Sequence, residues 1–207
     1  MAVLSAPARD GIQWRRRGAR WLRRCSGLPV FLACVAVAAS VHGATVGTSR
    51  ANEYRVKAAI LYNITRFIDW PAAAFATGSS PVVVCVVGVD PFGSTLEDTL
   101  EGRTVRGRPV TISRSHNLIP GCHVVFIAYS EQKRIDDIVS QLGTMPILSI
   151  SEIDRFTDRG GIIGLTTEGD RVQFDINASA ADRAKLTVSA RLLAAASSVR
   201  GSGGATR

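Results

Sequence analysis

The sequence predicts an α/β fold, with a mixed, largely parallel β-sheet flanked by helices in a single compact domain. Three observations carry that expectation. The runs "PVVVCVVG" (81–88), "CHVVFIAYS" (122–130) and "PILSIS" (146–151) are apolar and rich in β-branched residues, as strands covered on both faces are. Segments with helical periodicity separate them, and late in the chain "GIIGLTTEGDRVQFDIN" (161–177) reads as a hairpin. Strands alternating with helices early and a hairpin late argue a sheet sandwiched by helices.

The chain opens on an address rather than on the domain. From Arg9 to Arg24 there are seven arginines against one acid, Asp10, and Leu28–Val41 is apolar or small without a charge. That is the n-region and h-region of a secretory signal. The apolar run of about 14 residues is shorter than the ~20 a spanning helix needs, which disfavours a permanent anchor. The run before Cys34 is too short for a lipoprotein signal. We therefore expect a signal peptide over 1–44, an α/β domain over 50–200, and a flexible tail over 201–207, where "GSGGATR" has no large apolar residue. The formal charge of +8 comes largely from the leader, because 18 basic residues against 16 acids remain after residue 44. A mature charge of +2 removes most of the case for nucleic-acid binding.

Within the domain, Asn52 can cap a helix over 53–70, where Val56, Ile60, Ile64 and Ile68 recur every fourth residue with Leu61 and Phe67 widening the stripe, and Trp70-Pro71 ends it. Strand 81–88 follows. Asp90-Pro91 offers a cap and a first-position proline, predicting a helix over 91–101. "RTVRGRPVTISRS" (103–115), with Gly107, reads as one or two short edge strands. After strand 122–130, Ser130 can cap a helix over 131–143, in which Ile135, Ile138, Val139 and Leu142 share a face and Gly143 is the stop. Strand 146–151 leads to "EIDRF" (152–156), expected as a short helix. The hairpin turns at Glu168-Gly169-Asp170, with Val172, Phe174 and Ile176 on one face. A closing helix is expected over 178–199, broken near 185–188.

Cys25 and Cys34 fall in the leader, leaving Cys85 and Cys122. In an oxidising compartment two cysteines suggest one disulfide, with two buried free thiols as the alternative. Parallel strands side by side would let the bond form. Their spacing excludes a CxxC redox pair.

Catalytic and metal signatures do not assemble. "GVDPFG" (88–93) follows a strand but is neither a P-loop nor GxGxxG. His116 and His123 are too few and too isolated for a metal face, and no GxSxG elbow is present. His123 reads as a packed or surface histidine, and Asp136 and Asp137 as a solvated helix face. Arg103, Arg106, Arg108 and Arg114 form one basic cluster, expected to protect a sheet edge, with an anionic ligand or acidic partner as the functional reading. Trp70 is expected to pack into the core rather than anchor a partner. Phe156, in "RFTDRGG" just before paired glycines, is a candidate for exposure and partner contact, as is Glu168 at the hairpin tip.

The stretches "YRVKAAILYNITRFIDWP", "VVVCVVGVDPFG", "GRTVRGRPV", "GCHVVFIA", "ILSISEIDRFTDRGGIIG" and "RVQFDINASAADRAKLTVSARLL" together resemble the YfiR family of small exported bacterial proteins, in family order over nearly all of the mature chain. The resemblance implies a periplasmic regulator rather than an enzyme, needing no cofactor or metal. It implies repression of an inner-membrane diguanylate cyclase of YfiN type through that protein's periplasmic sensor portion. Relief by an OmpA-like outer-membrane lipoprotein of YfiB type would raise cyclic di-GMP and biofilm formation. The family's cysteines match Cys85 and Cys122, which supports their pairing. Some relatives carry a second pair near "RFTDRGG", absent here. Cyclic di-GMP is cytoplasmic, so the arginines are not expected to bind it. A homodimer is expected from the same resemblance. The alternative is a periplasmic small-molecule-binding protein with its pocket at the strand ends.

Overall fold

A long helix leads into the sheet. The structure, a computed structural model, describes residues 45–169 and 171–201, so the expected leader (1–44) and all of the expected tail after Gly201 lie outside the described residues. Helix α1 spans Thr45–Arg66. It buries Tyr54, Ala58, Leu61 and Ile64, while Val56 is left 37% exposed. Leu61 and Ile64 of the expected stripe are thus buried in α1. The departure is at its amino-terminal part, where Tyr54 and Ala58 take the core side in place of Val56, because strict i, i+4 spacing drifts around a 3.6-residue helix. Asn52 lies inside α1 rather than capping it. The helix ends before Trp70, because Ile68–Asp69 form a short strand, β1, paired antiparallel with Thr187–Val188.

After a 3₁₀ turn at Ala72–Ala74 the chain enters β2 (Val82–Val87), then α2 (Thr95–Leu100). Asp90 does not start that helix. Its Oδ1 accepts from the Phe92 N–H at 2.8 Å and its Oδ2 takes the Arg114 Nε–H at 2.5 Å, which closes a turn and delays α2 to Thr95. Strands β3 (Thr104–Val105) and β4 (Arg108–Ser115) pair antiparallel across Arg106-Gly107, whose φ values of 52° and 78° fit a two-residue hairpin turn. Next come β5 (Val124–Ile127), a 3₁₀ segment (Tyr129–Arg134) and α3 (Ile135–Leu142). Ser130 caps nothing, since its Oγ accepts from the Val89 N–H at 2.9 Å. Gly143, at φ 50°, ends α3 as expected.

Strand β6 (Leu148–Ser151) is followed by turns, not the expected helix, over 152–156. Strands β7 (Ile163–Glu168) and β8 (Arg171–Asn177) form the expected hairpin. The closing segment breaks at Lys185 (φ 57°) into α4 (Ala178–Arg183), β9 (Thr187–Val188) and α5 (Ala190–Ala195). It ends as a strand, β10 (Ser198–Arg200), rather than as helix.

The eight-stranded sheet runs β10-β8-β7-β6-β5-β2-β4-β3. Only β3–β4 and β7–β8 pair antiparallel, so it is mixed and largely parallel, as expected. Alternation along the central strands divides the core in two. Val84, Val86, Val124 and Phe126 face α1 and α2, while Cys85, Val87, Val125 and Ile127 face α3. The buried serines of β6 are satisfied: Ser149 Oγ accepts from the Ile162 N–H, and Ser151 Oγ donates to the Ile127 carbonyl.

Candidate functional site

Strands β2 and β5 are adjacent and parallel, with Cys85 opposite Val125, and they bring Cys85 to Cys122 just ahead of β5. The two form a disulfide with Cα atoms 5.9 Å apart, 37 positions apart in sequence. Free thiols are thereby replaced by a covalent tie between β2 and the segment entering its neighbour β5. Beside it, His123 is 7% exposed and stacked on Phe75 with ring centroids 4.4 Å apart. Its Nδ1 accepts from the Val83 N–H at 3.2 Å, and its Nε2–H donates to the Ala74 carbonyl at 3.0 Å. This arrangement requires the neutral ring. Burial pulls the imidazole below its ordinary range, the Ala74 bond opposes that, and the Arg108 charge adds to it.

The structure corrects the expected exposure of Phe156. The ring is 1% exposed and belongs to the core under α3. Gly160, at φ 95°, turns the chain, and the Gly161 N–H donates to the Phe156 carbonyl. A Cβ at position 161 would collide with the ring, so the paired glycines are what let the aromatic fold back inward. Glu168 is exposed at the end of β7, where it accepts from Gln173 at 3.2 Å. Trp70 is part-buried against the main core and donates Nε1–H to the His123 carbonyl at 3.2 Å.

The basic cluster is built into the fold more than it is spread along an edge. Arg114 binds Asp90, Glu97 and the Gly93 carbonyl. Arg106 pairs with Asp69 at 2.7 Å. Arg108 donates to the Thr77 and Ser80 carbonyls at 3.0 and 2.8 Å, and its guanidinium lies 3.8 Å from the Phe75 ring centroid. Arg103 sits 4.9 Å from the Tyr62 ring centroid.

A cleft of about 730 Å³ opens at the carboxyl ends of β5, β6 and β7, where open α/β sheets hold their ligands. Arg50, Glu53, Tyr54 and Lys57 of α1 form one wall and Leu165–Thr167 the other, with Tyr129, Glu152 and Asp154 on the loops between. At its base Lys57 is 4% exposed. Its Nζ lies 2.5 Å from Glu152 and 2.6 Å from Glu53, and the Tyr54 hydroxyl donates to the same Glu152 carboxylate at 3.0 Å. Thr167 Oγ1 donates to Glu53 at 2.8 Å, tying the hairpin to α1.

The electrostatics follow from these contacts. Burial pulls the Lys57 ammonium down, and the bonds and charges of Glu152 and Glu53 outweigh it, leaving the group above its ordinary value. The Lys57 bond holds the Glu53 carboxyl below the usual range against its own burial. Burial and then Glu152 push the Tyr54 phenol up. A doubly paired ammonium has no lone pair for nucleophilic work. Among the described residues no group of three His, Cys, Asp or Glu is placed to hold a metal ion. What the cleft offers is hydrogen bonding and charge in a sheltered concavity.

The sequence reading missed this centre. Its local half, Glu53 and Lys57 at i, i+4, is legible, and Lys57 falls in phase with Tyr54, Ala58 and Leu61 on the buried stripe. The Glu152 half, 95 residues away, carries no local signal.

No helix among the described residues is long and apolar enough to cross a membrane. The model of the family described as YfiR/HmsC-like matches residues 54–197, more than half of the chain, and that span takes in both cores, the disulfide and the floor of the cleft. No curated protein matches the chain.

Proposed function

We propose, from the premise that the chain belongs to the YfiR/HmsC-like family, that it is a periplasmic negative regulator. In this reading it binds the periplasmic sensor portion of an inner-membrane diguanylate cyclase and lowers cyclic di-GMP output. The family match over 54–197 is the observation that carries this reading. The seven arginines and apolar run of the first 44 residues support export. A repressor acts by differential affinity for two states of its partner, so it needs a firm surface rather than a reactive group. Glu168, exposed at the hairpin tip beside the cleft wall, is a contact residue in this proposal. Phe156 contributes from beneath, by holding the 152–161 loop in shape. An OmpA-like lipoprotein that sequesters the regulator, and a homodimeric state, complete the proposal.

Crosslinking of the tagged protein in its native membranes, followed by co-purification, tests it. Recovery of a GGDEF-containing membrane protein, with cyclic di-GMP rising on deletion of the gene and falling on its restoration, is the expected result. An unchanged cyclic di-GMP level on deletion overturns it.

The cleft favours a second reading, a periplasmic small-molecule-binding protein that signals downstream of its ligand. A compound that raises the melting temperature of the parent but not of a Thr166→Trp variant, whose new side chain occupies the cleft, is the expected result for that reading.

A further inference from the structure

A second concavity lies at the opposite end of β2 from the cleft. It measures about 190 Å³ and is walled by Trp70, Phe75, Val82 and Val105, with Asp69, Arg106, Arg108 and exposed Ala72 around it. Next to it, the Tyr62 hydroxyl donates to the Thr104 carbonyl at 3.1 Å, and the Tyr62 ring lies between Arg66 and Arg103, 5.7 and 4.9 Å from its centroid. None of the ion pairs among the described residues involves Arg66, Arg103 or Arg108. The pocket's own carboxylate, Asp69, is taken up by Arg106 at 2.7 Å, so the Arg66, Arg103 and Arg108 guanidinium charges on this face are left without a carboxylate partner among the described residues.

We infer that this face docks an acidic segment of a partner protein, one large apolar side chain entering the pocket and flanking carboxylates meeting Arg66, Arg103 and Arg108. The inference rests on the regulatory reading and names the chemistry of the segment recognised. The volume suits one aromatic or large aliphatic side chain, the anchor type that dominates interface energetics. The arginines are already ordered. Arg108 is held by two backbone carbonyls and the Phe75 ring, and Arg66 and Arg103 rest on Tyr62, so binding need not freeze three free side chains. A planar guanidinium held in place suits bidentate carboxylate recognition. An anionic membrane surface would reward mobile, projecting cations and would have no use for a one-side-chain pocket, which favours the peptide.

The test uses the chain from Thr45 onward, which holds every residue of both cores. The probe is a fluorescein-labelled pentapeptide, Asp-Glu-Phe-Asp-Glu, followed by anisotropy at low ionic strength. Expected is saturable binding, at least tenfold weaker with Asp-Glu-Gly-Asp-Glu and lost with Lys-Lys-Phe-Lys-Lys. Ala72→Trp, which fills the pocket from its exposed rim, should weaken binding at least tenfold at an unchanged melting temperature. So should the pair Arg66→Ser and Arg103→Ser, which removes charge without touching the pocket.

Equal affinity for the phenylalanine and glycine peptides, or indifference to both sets of substitutions, overturns the inference. So does arginine-dependent binding to vesicles of equal parts phosphatidylcholine and phosphatidylglycerol with none to the peptide, which would make the face a membrane contact. A cyclase that co-purifies equally with parent and Ala72→Trp also overturns it and leaves the regulatory reading intact. Pocket-dependent peptide binding with no cyclase recovered and unchanged cyclic di-GMP overturns the regulatory reading alone.

Discussion

Replacing Lys57 by methionine probes the cleft centre most directly. Methionine keeps the length and apolar stem of lysine and removes only the ammonium, so packing is close to conserved. What remains is the Glu152 carboxylate, whose side chain is 9% exposed, facing Glu53 with no cation between them. Breaking a buried pair by deleting one partner costs roughly 3–5 kcal/mol. The lower end applies here, because the Tyr54 hydroxyl still donates to Glu152. At about 2–4 °C per kcal/mol for a domain of this size, Lys57→Met should lower the melting temperature by roughly 6–12 °C.

Glu152→Gln in the Lys57→Met background should recover most of that loss, giving a coupling of at least about 2 kcal/mol in a double-mutant cycle read by thermal and urea unfolding. The pH dependence has a defined sign. Glu53 is depressed in the folded state, so its contribution is present above roughly pH 4.3 and is lost as pH falls through the lower folded value. Lys57 is raised, so its contribution is present below roughly pH 10.4 and is lost as pH rises through the higher folded value. The gap between parent and Lys57→Met should be widest between those limits and close at both. A variant melting within about 2 °C of the parent at neutral pH, or a double variant equal to the sum of the singles, refutes the reasoning.

Replacing both Cys85 and Cys122 by serine opens a loop with a sequence separation of 37. It should cost about 4 kcal/mol on the chain-entropy model, and a reductant should lower the parent's melting temperature but not the variant's. Gly161→Ala drives a Cβ into the Phe156 ring and should cost about 1–3 kcal/mol. In a Phe156→Ala background the same change should be nearly harmless, and additive costs in urea unfolding would rule out that contact as the cause. His123 is held below its unfolded value, so stability should fall as pH drops from about 6.5 through the lower folded value. Denaturation curves of His123→Gln should lack that slope, and a slope identical to the parent's would assign it to other groups.

The parts of the fold that were legible are those in which local chemistry and burial agree. "VVVCVV" is a buried strand whatever surrounds it, and Gly143 and the Glu168-Gly169 turn punctuate the chain by backbone preference alone. Where the reading failed, a distant group had captured the local signal. Asp90 looks like a helix cap until Arg114, 24 residues on, takes one carboxylate oxygen. Ser130 looks like a cap until the Val89 N–H, 41 residues back, claims its hydroxyl. Phe156 looks exposed beside two glycines, and those glycines are what make room to bury it. The cleft shows the same limit in its strongest form, since half of its central ion pair is a helix spacing and half is a tertiary contact.

The disulfide gains meaning from where its two strands lead. At the amino end of the β2–β5 pair, Val82 walls the small pocket, and His123 stacks on the Phe75 ring that also supports Arg108. At the carboxyl end, the loop after β5 delivers Tyr129 to the large cleft, and the Ser130 hydroxyl ties that loop to Val89 beyond β2. Cys85 and Cys122 staple this pair between the two concavities. Opening the bond would therefore release neither site from its own contacts, but it would loosen the register that spaces them. A partner gripping both ends would feel that loss as weaker affinity, whereas a peptide at one end would feel little. Reduction should accordingly weaken capture of a whole membrane partner more than binding of the pentapeptide, and equal weakening of both would place the effect in global stability instead.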